Sequence, residues 1–229
     1  MTRRNICRRS LATDSPDQLD PSPLLSRLYA LRGVKTSKEL DQSLENMIPV
    51  SALAGVDQAV ELLLKHFKRQ SRIIIIGDFD TDGATSTALV VRQLRRLGFK
   101  DVDFLVPNRF TFGYGLTPEI VRLAAERDPK LIITVDNGIS SVAGVDVAND
   151  LGIEVLVTDH HLPGTQLPSA AAIVNPNAPN NAFTSKALAG VGVAFYVMAG
   201  LTRAMMQQGL VSANDCSVAQ LLDLVALGT

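Results

Sequence analysis

No apolar run in the sequence approaches the roughly 18 residues that a membrane-spanning helix needs. The start of the chain also lacks the apolar core of a secretory signal. Neither a membrane association nor secretion is expected. Cysteine is scarce, with only Cys7 and Cys216 far apart in the chain. That excludes a disulfide framework and points to a reducing, cytoplasmic compartment. An excess of charge is missing too: 22 Lys and Arg stand against 23 Asp and Glu, a formal net charge of -1. Affinity for a polyanion therefore cannot come from a globally basic surface, and any contact with nucleic acid has to be local.

What is there is core-forming. Apolar residues make up 46% of the 229 positions, enough for one large domain or a domain with a small appendage. Arg3, Arg4, Arg8 and Arg9 precede the first acid, Asp14. They read as a flexible basic tail in preference to an organellar transit peptide. The polar, proline-rich stretch 10–23 is expected to be poorly ordered. From Pro23 to Pro49 the pattern is short and helical, with LLSRLYALRG forming a helix closed by Gly33. Residues 1–50 are thus read as tail and helical segment, and 51–229 as the main domain.

In the main domain apolar residues at 56, 59, 60, 63, 64 and 67 mark one helix face. Five apolar runs follow: RIIIIG (72–77), DVDFLVP (101–107), KLIITVD (130–136), IEVLVTD (153–159) and AAIVN (171–175). They recur about every 20 to 30 residues, the spacing of βαβ units. Helices are predicted between them at 84–97, 117–127 and 141–151, and a longer one at about 189–208. The runs are continuous, as strands covered on both faces require. The fold class is α/β: a three-layer domain with a mostly parallel sheet of about five strands. AQLLDLVALGT stops at Thr229 directly after an apolar helical pattern, so a truncated chain is expected.

Three of the five predicted strands end in acids: Asp78, Asp80 and Asp82; Asp136; and Asp159, followed by His160 and His161. In a parallel sheet all C-terminal strand ends share one edge, where ligand sites form. Bare carboxylates gathered there would raise one another's pKa. Divalent cations remove that penalty, and oxygen ligands with imidazole suit Mn²⁺ or Mg²⁺ better than structural zinc. A metal pair can activate water for attack on a phosphoryl group.

Other readings apply to parts of this set. An EF-hand-type calcium loop starting at Asp78 would need glutamate at its twelfth position, which is Leu89, and follows a helix instead of a strand. DTDGAT after an apolar strand also fits a haloacid-dehalogenase-type phosphatase with Asp80 as nucleophile, but leaves Asp136 and the histidines without work. Helix capping explains one of the three acids in 78–82. Gly83, Thr85 and Ser86 open the next helix, either as phosphate binders or as caps. NRFTFGYGL (108–116) offers Arg109 to a phosphate and Phe110, Phe112 and Tyr114 to bases, or its aromatics close the core. Gly190 and Gly192 permit close packing at a helix start, or approach a substrate.

GDFDTDGATSTAL, PNRFTFGYGL, TVDNGIS, TDHHLP, LAGVGVAFYVM and LLDLVALGT together resemble the DHH phosphoesterase family, named for the triplet here at Asp159-His160-His161. The match is closest to the family's bacterial single-strand-specific exonucleases and extends from 77 to 229. The resemblance implies a Rossmann-like catalytic domain with two Mn²⁺ or Mg²⁺ ions. It implies Asp80, Asp82, Asp136 and His160 as metal ligands, Asp136 bridging. Many relatives have a ligand histidine where this chain has Ile76, and Asp78 would substitute for it. His161 would contact the scissile phosphate, Asp159 would orient the turn, and Arg109 would bind phosphate. A further metal-binding aspartate of the family lies just beyond the LGT motif, past Thr229. The expected activity is 5′-to-3′ digestion of single-stranded DNA to mononucleotides in repair and recombination. The alternatives are cleavage of short oligonucleotides or small nucleotides, and a non-catalytic scaffold.

Overall fold

The structure, a computed structural model, describes residues 19–41, 43–212 and 216–229, and at Arg109 the backbone alone. The basic tail with Cys7 lies outside the described residues. The chain divides into two units, Met1–Ile48 and Pro49–Thr229. In the first, helix α1 (Pro23–Leu31) starts on Ser22, whose hydroxyl accepts from Leu25 N, with Pro23 in the first turn. It ends where Gly33 takes a φ of 87° and Val34 N donates back to Tyr29 O. Of the stretch expected to be poorly ordered, residues 10–18 lie outside the described residues; after them Leu19 N donates to Ser26 Oγ and Ser22 N to Asp20 Oδ1. Two 3₁₀ turns follow, Ser37–Leu40 and Leu44–Asn46.

The second unit holds all five predicted strands: β1 (Ile73–Ile76), β2 (Val102–Leu105), β3 (Leu131–Val135), β4 (Glu154–Thr158) and β5 (Ala172–Val174). They form one parallel sheet in the order β2-β1-β3-β4-β5. Helices α2 (Val56–Arg69), α3 (Thr81–Arg96), α4 (Arg109–Phe112), α5 (Pro118–Ala125), α6 (Val142–Asp150), α7 (Gly190–Gln207) and α8 (Leu222–Gly228) complete it. Successive strand residues point to opposite faces. Ile74, Ile76, Ile132, Val155 and Val157 pack with Ile120, Val121 and Ala124 of α5 and Val145 and Ala148 of α6. On the other side α7 packs against α2, α3 and α8. Every side chain of β1 and β3 is buried, which is why both read as unbroken apolar runs. Among the described residues no single helix is long and apolar enough to cross a membrane.

The strand order fixes the place of the site. β1 lies between β2 and β3, so the chain leaves β1 and β3 toward opposite faces of the sheet. The crevice at such a switch point opens outside the C-terminal strand ends. Ile76 pairs with Thr134, and Val135 with Thr158, so the residues after β1, β3 and β4 emerge side by side.

Candidate metal centre

After β1, Asp78 is buried and its Oδ1 accepts from Phe79 N at 2.8 Å. Asp80 is exposed and caps α3, its Oδ1 accepting from Gly83 N at 2.9 Å. Gly83 is required there, because a Cβ would stand 2.7 Å from the Asp78 Cβ. After β3, Asp136 takes a φ of 60°, a left-handed conformation that aspartate tolerates better than most residues. The amide of Asn137 locks the turn by donating to Ile76 O and Val135 O. After β4, Asp159 is almost fully buried. Its Oδ2 accepts from Ile139 N (2.9 Å), and its Oδ1 from His160 N (2.7 Å) and His161 N (3.1 Å).

These three turns converge. Ligand atoms of Asp78, Asp80 and Asp136 lie within 4.8 Å of one another, and so do those of Asp136, His160 and His161. The two groups share Asp136. His160 Nε2 stands 3.0 Å from Asp136 Oδ1 and 3.6 Å from Asp82 Oδ2. The buried Oδ1 of Asp136 nevertheless lacks a well-formed hydrogen bond, the state expected of an oxygen arranged for a cation. The donor set, carboxylate oxygens with imidazole, fits Mn²⁺ or Mg²⁺. α7 adds to the fit: a Cβ on Gly190 would stand 2.7 Å from Asp136 Oδ1, so only glycine lets the helix start this close to the carboxylate.

The electrostatics follow from the crowding. Burial pushes Asp136 up to about 6; His160 beside it pulls the other way and Asp82 adds to the rise. Contact with Asp136 raises His160, against its partial burial. Asp159 behaves differently. Burial favours its protonated form, but His161 and the backbone N–H groups of Ile139 and His161 hold it below the usual carboxylate range. Its charge in turn raises His161, whose Nδ1 lies 2.7 Å from Asp159 Oδ1.

Asp82 has a second occupation. Its oxygens accept from Gly190 N (2.7 Å) and Val191 N (2.6 Å), so the carboxylate sits on the positive N-terminal end of α7. A carboxylate has about four acceptor positions, so these two bonds leave room for a metal. Thr85 and Ser86 are not brought to the rim. Both are buried, with the Thr85 hydroxyl bonded to Thr81 O and the Ser86 hydroxyl directed to Asp82. Arg109 heads α4, and its side chain lies outside the described part of the structure.

NRFTFGYGL is partly helical, and its aromatics divide three ways. Phe112 packs against the core and Phe110 is 97% exposed. Tyr114 reaches the site between Gly113 and Gly115, whose φ values are 78° and 77°. Its hydroxyl donates to Asp136 O (3.1 Å) and lies 3.4 Å from both ring nitrogens of His161. Burial and the charges of Asp159 and Asp136 push its pKa well above the ordinary value, so it stays a donor.

Two further residues went unread in the sequence. Asn175 Nδ2 donates to His161 O (2.9 Å) and Asn177 Nδ2 to His160 O (2.6 Å), holding the histidine turn from behind. The only sequence signal was the asparagine-rich NPNAPNN directly after β5.

A family model described as "DHH family, N-terminal domain" matches residues 72–229. The chain is 55% identical over 219 residues to the single-stranded-DNA-specific exonuclease RecJ of Escherichia coli. That alignment covers 94% of this chain and 38% of the relative, so the chain spans about two fifths of the relative's length. Among solved structures it resembles RecJ of Thermus thermophilus in complex with Mn²⁺, at 32% identity and a TM-score of 0.70, over 93% of this chain and 28% of that one. The Mg²⁺ complex of the same protein matches at 29% identity and a TM-score of 0.56, over 93% and 25% of the two chains.

Proposed function

Since this chain belongs to the DHH family, we propose that it carries the catalytic core of a metal-dependent exonuclease. The enzyme digests single-stranded DNA from the 5′ end, releasing mononucleotides, in cytoplasmic DNA repair and recombination. Residues 51–229 form the catalytic domain of this reading and 1–50 an appended segment. The observation that carries it is the pair of ligand groups sharing Asp136 at the switch-point crevice. Relatives named as single-stranded-DNA-specific exonucleases support the substrate, and the polarity rests on the same likeness.

Asp78, Asp80, Asp82, Asp136 and His160 would hold two divalent cations, Mn²⁺ or Mg²⁺. Bound there, such ions lower the pKa of water and offset charge on a phosphate. The protein's own groups do the rest. His161, oriented by buried Asp159, whose contact favours its charged form, donates an N–H to a phosphate oxygen as charge develops on it. Tyr114 fixes the Asp136 backbone and borders the His161 ring. Arg109 binds a phosphate of the strand. Thr85 and Ser86 take no part, because their hydroxyls are used inside α3 and on Asp82.

The test compares long single-stranded DNA with dinucleotides as substrates of the full-length protein in Mn²⁺. Faster, processive release of mononucleotides from the long strand is expected. Equal rates on both would favour a small-nucleotide phosphodiesterase, and absence of calorimetric Mn²⁺ binding would favour a scaffold.

A further inference from the structure

An apolar groove adjoins the metal centre and has no role in the chemistry above. Phe79, between Asp78 and Asp80, is 52% exposed; Phe110, in the first turn of α4, is 97% exposed. With Val106, Pro107 and Asn108 they line a groove of about 310 Å³. Val106, Pro107 and Asn108 continue from the end of β2, and Phe79 from the end of β1, so the groove lies on the same rim as the acids. Asn108 Oδ1 accepts from Phe110 N at 3.0 Å and fixes the turn that presents the second ring.

We propose that this groove seats one unpaired nucleobase of the DNA strand whose phosphate lies at the metal centre. The inference rests on the exonuclease reading and deepens it. Carboxylates and metal ions engage only the phosphate of a nucleotide. The base is the flat, apolar part, and it needs an apolar surface within one nucleotide of the scissile bond. Aromatic faces stack on any base, so such a seat ignores sequence. The volume is at the small end of ligand pockets, about 300–1,000 Å³, and takes a single heterocycle. A base stacked and paired in a duplex would have to leave its partner to enter, which costs free energy. The groove therefore selects for single strands as well as binding them.

The experiment uses the full-length protein and oligonucleotides carrying one abasic site, walked from the first to the fourth nucleotide of the 5′ end. Wild type is expected to lose on the order of tenfold in kcat/KM at one position, and Phe110→Ala and Phe79→Ala to erase most of that discrimination. Phe110 is so exposed that its removal leaves the fold untouched. A 2-aminopurine at the sensitive position, read by fluorescence without Mn²⁺, should be quenched by wild type and not by Phe110→Ala. Equal hydrolysis of intact and abasic strands, or discrimination that survives Phe110→Ala, overturns the proposal and leaves the exonuclease reading standing. A groove that receives a protein segment gives that same result, with no quenching. Failure of wild type to hydrolyse any strand in Mn²⁺ sinks the exonuclease reading and this inference with it.

Discussion

At the N-terminal edge of the sheet, acids meet basic side chains one by one. Asp101 pairs with Arg72 (2.8 Å), Asp103 with Arg127 (2.7 Å), Asp128 with Lys130 (2.7 Å), and Glu154 with Lys65 (2.5 Å) and His66 (3.2 Å). At the C-terminal edge, Asp82, Asp136 and Asp159 meet histidines and backbone N–H groups, and no lysine or arginine among the described residues. The first edge is neutralised by its own side chains and stays in water. The second is buried deeper and, on the proposed reading, is completed by a cation from outside. Like charges at one edge of a sheet are therefore no sign of function in themselves. What separates the two edges is whether the protein supplies the countercharge.

The strongest way to break this comparison is Asp136→Ala. Loss of the carboxylate shared by both ligand groups should reduce hydrolysis by about a thousandfold or more, with Mn²⁺ affinity falling in calorimetry. Near-normal turnover would remove Asp136 from the metal. The metal-free fold should survive or gain. The native carboxyl keeps its proton to about 6 while the unfolded one ionises near 3.8. Below both values the two states are equally protonated. As pH rises through that window the unfolded state loses its proton first, and the native state loses about 3 kcal/mol of relative stability. His160, raised by the same contact, adds a fall in the same direction at higher pH. Urea midpoints of chelator-treated protein should decline from about pH 4 to about pH 6 through Asp136, and again above about pH 6.5 through His160; Asp136→Ala should remove the first decline.

Much of the C-terminal edge was legible in the sequence because each acid follows a buried strand directly. A parallel strand covered on both faces is an unbroken apolar run, so IIII and LIITV announced themselves, and the residue after each run had to lie on one rim. Strand order was not legible, since nothing local says that β1 neighbours β3. Contacts that cross the chain were equally hidden. Asp82 bonds to a helix start 108 residues away, and Asn175 and Asn177 support a turn 14 and 17 residues before them. The burial of Thr85 and Ser86 was not legible either, because a hydroxyl at a helix start reads the same whether it faces a ligand or its own backbone.

Gly190→Ala tests how closely α7 is pressed on the centre. The added methyl would overlap the Asp136 carboxylate, so the helix start must retreat and release Asp82 from its two N–H donors. Overpacking of this kind costs about 1–3 kcal/mol. Mn²⁺ affinity should fall by roughly tenfold, the loss seen when groups behind a ligand are disturbed. Unchanged affinity would mean that the rim tolerates movement of its roof. A smaller effect is expected for Tyr114→Phe. It removes a hydrogen bond to the Asp136 carbonyl and a neighbour of His161, worth about 1 kcal/mol of stability. kcat should drop on the order of tenfold while calorimetric Mn²⁺ binding is kept. Parallel loss of metal binding would assign Tyr114 to the fold of the Asp136 turn alone.

The smallest effect belongs to the opposite edge. Arg72→Ala deletes the partner of Asp101 and a hydrogen bond to Arg127 O (2.7 Å). Both side chains of the pair are nearly half exposed, so water and salt replace most of what is lost. The urea midpoint should move by less than its experimental scatter, and turnover and Mn²⁺ affinity should match wild type. The result is informative because Arg72 directly precedes the strand whose far end carries Asp78 and Asp80. A large loss of turnover would mean that charge at one edge of the sheet reaches the other along β1. The two edges would then be one electrostatic system, and the absence of basic partners for Asp82, Asp136 and Asp159 among the described residues would need an explanation other than a metal.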